Sequence, residues 1–288
     1  MREDEGPKIY LLPNLMTAGN LFCGFAASLR IVESAMILAG NGSTPGGSPG
    51  ALAEASNQIH NAIWLILASC IFDLLDGRLA RLGGHESPFG REFDSLADIV
   101  SFGVAPALMV YKIVLFEFPR IGWIIASVYL VCGALRLARF NCLAAADSAA
   151  ANREFTGFPI PAAAGVIASI TLFILWLDEH NRQLGRGKWV LPPLMLFLAW
   201  MMFSKFRYPS FKGVSWRSTR SLPKFMAILI VAIITAMNFE WMPAVLFVSY
   251  LLYGFFRPFL SREMKRNIED ELHEEEDKDG RPLPPPTA

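Results

Sequence analysis

Apolar residues gather in eight blocks along the chain, at about 15–39, 59–81, 94–116, 121–142, 159–177, 189–204, 222–238 and 241–257. Most reach the roughly 20 residues that a helix needs to cross a hydrocarbon core about 30 Å thick. The pattern therefore predicts an all-α, polytopic membrane bundle of about eight transmembrane helices. A large soluble helical protein would keep polar faces on its helices, and the stretches 121–135 and 225–237 have none. The block at 189–204 is the least regular, because Pro192 and Pro193 interrupt it. Two segments fall outside the pattern. Residues 41–51, GNGSTPGGSPG, read as a flexible loop, and the acidic, Pro-rich stretch from about 261 to 288 reads as a solvated, disordered tail.

Charge gives the bundle an orientation. Arg78, Arg81 and Arg91, then Arg136, Arg139 and Arg153, then the run from Lys205 to Lys224 fall in alternate connections. The intervening connections are poor in basic residues, with none in 41–58 and only Arg120 in 117–120. By the positive-inside rule the basic set is cytoplasmic, and an even number of crossings puts both termini there too. The connection 178–188 dissents, since it carries Arg182, Arg186 and Lys188 on the side expected to be external.

Composition agrees. The chain is 53% hydrophobic and 18% charged, against about 25% charged in soluble domains. A net charge of zero offers no footprint for nucleic acid. No cleavable signal peptide is expected, because the charged start MREDEGPK runs into a long apolar block without a cleavage site. Cys23, Cys70, Cys132 and Cys142 lack metal-ligand spacing and read as buried, reduced thiols. The tryptophans near block ends, including Trp123, Trp189 and Trp241, suit interfacial anchoring.

The chemistry concentrates in one place. Residues 73–81 read DLLDGRLAR and 90–98 read GREFDSLAD, giving D-x2-D-G-x2-A-R-x8-G-x3-D-x3-D. At about 100° per residue, Asp73, Asp76, Gly77, Ala80 and Arg81 share a helix face, and Asp94 and Asp98 share another. The short link between them predicts antiparallel neighbouring helices whose four carboxylates converge at the cytoplasmic end. An ionised Asp at membrane depth costs about 2.5–3.5 kcal/mol, and four together repel. Two divalent cations, Mg2+ or Mn2+, would neutralise them and suit a diphosphate ligand. Gly77 and Ala80 leave room for that ligand, and Arg81 would meet a phosphate oxygen. A single Asp of this kind is ordinarily a satisfied polar group at a helix end; seven residues at set spacings are not. An aspartate-rich prenyltransferase would carry two separate acidic motifs, and the chain has one.

This pattern resembles the signature of the CDP-alcohol phosphatidyltransferase family at every defined position. The resemblance implies a six-helix core with two metals held by Asp73, Asp76, Asp94 and Asp98. It implies that Asp98 is also the general base, and that Gly77, Ala80, Arg81, Ser87 and Gly90 hold the CDP-diacylglycerol head. The segment PNLMT resembles the opening of the family's first core helix, which adds Asn14 and Thr17 to the donor site. The segments PNLMTAGNLFCGFAAS, DSLADIVSFGVAPALMVY, CGALRLARFN, FTGFPIPAAAG and RYPSFKG resemble, in order, the branch formed by type II phosphatidylserine synthases. That branch implies L-serine as acceptor, a homodimer, and a bacterial inner (plasma) membrane with the active site facing the cytoplasm. It implies a core at 1–213 and an added helix pair at 214–260, and the acidic composition sets off the tail at 261–288.

Serine also needs a partner for its carboxylate. Arg136 and Arg139 are candidates, with positive-inside anchoring as an equal alternative reading. Asn141 is either a substrate contact or a helix end. Inositol, inositol phosphate or glycerol phosphate as acceptor would leave the signature unchanged. A reading of another class, an ion-binding transporter or scaffold, would call for internal repeats, and none is visible.

Overall fold

A computed structural model describes residues 11–40, 49–83, 87–146, 157–179, 187–204 and 222–255. Among these residues every regular element is helical. Helix α1 spans Leu11–Gly40, α2 Pro49–Gly83, α3 Pro88–Asp98, α4 Ala105–Ile113, α5 Gly122–Ala146, α6 Ile160–Glu179, α7 Leu191–Phe203, α8 Leu222–Met237 and α9 Met242–Phe255. Four stretches are long and apolar enough to cross a membrane: Leu11–Gly40, Pro88–Ile113, Gly122–Cys142 and Ile160–Leu177. Gly187–Phe203 and Met242–Phe255 are shorter apolar helices. Large apolar side chains such as Phe22, Phe25 and Met36 point outward from α1, as they must where lipid replaces water as the surrounding solvent.

The α1–α2 pair is the most extensive packing in the molecule, and α1 also lies against α3 and α4. Helix α6 bridges α2 and α7, and α5 packs on α7. Of an 18-residue stretch of α6, 61% is buried, against 17% for α5, so α6 is the central strut. Its run Pro161–Gly165 is nearly free of bulky side chains, which lets neighbours approach closely. At Gly165 a Cβ would overlap the Phe247 ring of α9. Ile63, Ile66, Phe102, Met109, Tyr129, Ile167 and Met202 form part of one apolar core between these helices.

Several expectations change. Helix α2 begins at Pro49, so the last three residues of the predicted loop 41–51 are helical; a proline's fixed φ suits a first helical turn. Among the described residues α1 is the main partner of both α2 and α3, and these two meet through their acidic side chains. The block at 94–116 is not one regular helix. Ile99–Val104 is a π segment in which Ala105 N–H donates to the Val100 carbonyl, five residues back. Pro106 has no N–H for the Phe102 carbonyl, and Tyr129 Oη on α5 donates to that oxygen at 3.0 Å. All four cysteines are free thiols, as expected, although only Cys23 is buried and Cys142 is exposed.

At the end of the bundle that holds the 114–121 and 187–190 connections, Lys188 Nζ donates to Glu117 Oε1. The rings of Phe118 and Trp189 meet edge-on at 5.2 Å. These two connections meet on one side of the bundle, as alternating spans require, and Glu117 offsets part of the dissenting positive charge. Arg182 and Arg186 fall outside the described residues, as do residues 41–48, His85, the run 205–221 and the tail at 261–288.

Candidate active site

The C-terminal half of α2 carries Asp73 and Asp76 three residues apart, on one face of the helix. Helix α3 delivers Asp94 and, at its last residue, Asp98. Its start is set by Ser87, whose Oγ accepts from Gly90 N at 3.0 Å, and by Pro88 in the first turn. The oxygens of Asp73, Asp76 and Asp94 lie within 4.8 Å of one another. A hard cation binds oxygens at roughly 2.0–2.6 Å, which allows ligands on opposite sides to stand about 4–5 Å apart. Asp94 Oδ1 is enclosed and has no hydrogen-bond partner among the described residues. Three carboxylates with a buried, unused acceptor suit Mg2+ or Mn2+.

Asp98 is buried, and it interacts as a like charge with Asp73, Asp94 and Asp76. Thus all four acids of the motif come together. Two side chains of α1 reach them. Thr17 Oγ1 lies 3.1 Å from Asp76 Oδ2 and 3.2 Å from the Pro13 carbonyl, so its one proton is shared between them. Asn20 Nδ2 donates to Asp98 Oδ1 at 3.1 Å. Asn20 is absent from the motif reading, and its only sequence signal was a polar residue on the face of α1 that also carries Thr17 and Gly24.

The residues expected to hold the donor head divide. Asn14, Ser87 and Gly90 are neighbours: a Cβ on Gly90 would come within 3.2 Å of Ser87 Oγ and 3.3 Å of Asn14 Oδ1. Asn14 Nδ2 is enclosed without a partner among the described residues, leaving a donor at this corner. Gly77 is half-buried next to Asp76. The side chains of Ala80 and Arg81 lie outside the described residues.

Of the two arginines, only Arg136 turns inward. It is half-buried, its Nε is enclosed with no partner among the described residues, and its charge interacts with Asp98, Tyr250 and Asp73. Arg139 is exposed, one helical turn on. Tyr250, on α9, packs its ring 5.9 Å from Phe158 and was not anticipated. Asn141 Nδ2 donates to Ser95 Oγ at 2.9 Å, tying α5 to α3 between the last two aspartates, so it serves as an interhelical tie.

Comparison with known proteins agrees with this geometry. Residues 10–204 match the family described as CDP-alcohol phosphatidyltransferase. A protein of Helicobacter pylori (strain ATCC 700392 / 26695) named CDP-diacylglycerol–serine O-phosphatidyltransferase is 34% identical over 249 residues, 86% of this chain and 91% of its own length. One of Bacillus subtilis (strain 168) with the same name is 31% identical, covering 70% of this chain and 91% of its own. A Mycobacterium leprae (strain TN) protein of that name is 42% identical over 57% of this chain and 52% of its own.

Proposed function

The chain belongs to the CDP-alcohol phosphatidyltransferase family, and from that premise we propose that it is a phosphatidylserine synthase, moving the phosphatidyl group of CDP-diacylglycerol to L-serine with release of CMP. The observation that carries this reading is the convergence of Asp73, Asp76 and Asp94 with Asp98 held beside them. The names of the relatives supply the acceptor. Membership of a transferase family argues against the transporter or scaffold reading.

Asp73, Asp76, Asp94 and Asp98 would hold two divalent cations, Mg2+ or Mn2+, which when bound neutralise the carboxylates and the diphosphate of the donor. Asn14, Ser87 and Gly90, with Gly77, Ala80 and Arg81, hold the CDP-diacylglycerol head, and Thr17 supports Asp76. Asp98 accepts the proton of the serine hydroxyl through the oxygen that Asn20 leaves free. The hydroxyl oxygen forms a bond to the phosphatidyl phosphorus, the bond from that phosphorus to the bridging oxygen breaks, and CMP leaves with the electron pair. Arg136 takes the serine carboxylate in a charge-assisted hydrogen bond. Arg139, being exposed, serves as a cytoplasmic anchor.

This reading goes with a core at 1–213, an added helix pair at 214–260 and a tail at 261–288. It also goes with a homodimer in the bacterial inner membrane, with site and termini on the cytoplasmic side. Purified protein given CDP-diacylglycerol, magnesium or manganese and labelled serine should form labelled phosphatidylserine and CMP in equal amounts. CMP release with inositol or glycerol phosphate, and none with serine, would overturn the acceptor and leave the family standing.

A further inference from the structure

We propose that Asn20 of α1 is a positioning residue for the general base, orienting Asp98 so that one carboxylate oxygen is engaged and the other faces the acceptor hydroxyl. The inference rests on the reading of Asp98 given above. Asn20 is fully buried, and its Nδ2 donates to Asp98 Oδ1 at 3.1 Å. The orientation of the amide follows from charge: turned over, its oxygen would face a carboxylate oxygen, acceptor against acceptor.

The backbone of Asn20 is itself pinned. Its carbonyl accepts Ser101 Oγ from the π segment at 2.9 Å, and Ser69 Oγ of α2 shares its one proton between this carbonyl at 3.3 Å and that of Leu65 at 3.1 Å. Ser101 reaches it because Gly24, one turn along α1, has no side chain; a Cβ there would overlap the Ser101 backbone. Three elements thus meet at one residue, and the π segment that follows Asp98 supplies one of the pins. A wide turn of this kind is uncommon and is frequently found at functional sites.

A fully buried amide kept only to join helices would use both of its ends. Asn20 does not: Oδ1 is buried with no partner among the described residues. Its single side-chain bond goes to the base. Ser34 gives the contrast on the same helix, since it is equally buried and its Oγ donates to the Ala55 carbonyl of α2, far from the acids.

The test is steady-state kinetics on purified full-length protein, with CDP-diacylglycerol and serine varied separately. Asn20→Leu, which removes the donor at similar volume, should lower kcat by roughly 10²-fold, the scale of a misplaced catalytic group. KM for each substrate should stay within about threefold, since Asn20 touches the base and holds neither substrate. Asn20→Asp, which keeps the shape and opposes the carboxylate, should lose at least as much. Asn20→Gln, which retains the amide, should recover above both. Ser34→Ala should keep the kcat of the parent.

A kcat within threefold of the parent for Asn20→Leu would overturn the proposal. So would a fall in kcat matched by rises in both KM values, or one reproduced by Ser34→Ala, since either marks a general structural loss. If the leucine variant does not fold, the Asp and Gln pair decides: equal rates for those two would also overturn it. If the parent releases CMP only with another alcohol, the serine reading fails, and the same comparison with that alcohol still judges Asn20.

Discussion

The two ends of the helix bundle handle charge in opposite ways. Where the 114–121 and 187–190 connections meet, one acid is matched to one base, Glu117 to Lys188, both partly exposed and flanked by Phe118 and Trp189. At the other end four carboxylates are gathered together, two of them buried, with polar groups of α1 directed at them. An exposed pair in high dielectric contributes roughly 0–1 kcal/mol and needs no further partner. Buried like charges are unfavourable by themselves and are relieved by taking up a proton or by binding something positive. The same residue types therefore mark topology at one end and chemistry at the other.

The contrast can be broken most severely by removing what neutralises the acids. Stripping divalent cations with EDTA should abolish CMP release, and magnesium or manganese should restore it. Turnover untouched by the chelator would end the view of the cluster as a cation site. Next in size is Asp98→Asn, expected to lower kcat by about 10³-fold while the protein still elutes as a folded species in detergent. Near-normal rates would exclude Asp98 as the base.

Arg136 sharpens the comparison within a single helix. Loss of a charge-assisted hydrogen bond is worth about 1.5–3 kcal/mol, so Arg136→Ala should raise KM for serine roughly 10- to 100-fold. Arg139→Ala, at an exposed position, should change it about twofold or less. Equal effects would mean that both arginines act through membrane anchoring alone.

Packing beside the site is the next test. Gly24→Val would press a branched side chain against Ser101 and should destabilise by about 1–3 kcal/mol, seen as earlier thermal unfolding in detergent. The smallest effect belongs to the far end. Glu117→Gln removes the pairing with Lys188 and should cost at most about 1 kcal/mol with CMP release unchanged. A large loss of activity there would show that the two ends are coupled.

Much of this was readable from the residues. The acid spacings at 73–76 and 94–98 place carboxylates on helix faces by local geometry alone, and the structure brings all four together. Pro88 after Ser87 announces a helix start in the same way. Other features had no local signal. Asn20 lies more than 70 residues from Asp98 along the chain, and a lone Asn in an apolar run looks the same whether it meets lipid, backbone or a base. Arg136 and Arg139 are three apart with equal charge, and only the neighbours of α5 separate the inward one from the exposed one. Tyr250 lies beyond the region that matches the family, so no motif pointed to it.

By itself, the sequence settled the membrane class and the helical content, which follow from composition and from spacings shorter than a few helical turns, where one residue's place dictates the next. The donor chemistry came from the resemblance of its motif to the family signature. Only the tertiary structure decided that α1 packs against both α2 and α3, that a π turn follows Asp98, and that Asn20 and Arg136 flank the acids. Those facts depend on which helix faces meet, and helix packing in a lipid-like interior is chosen by shape and buried hydrogen bonds more than by hydrophobicity, which is alike on every side.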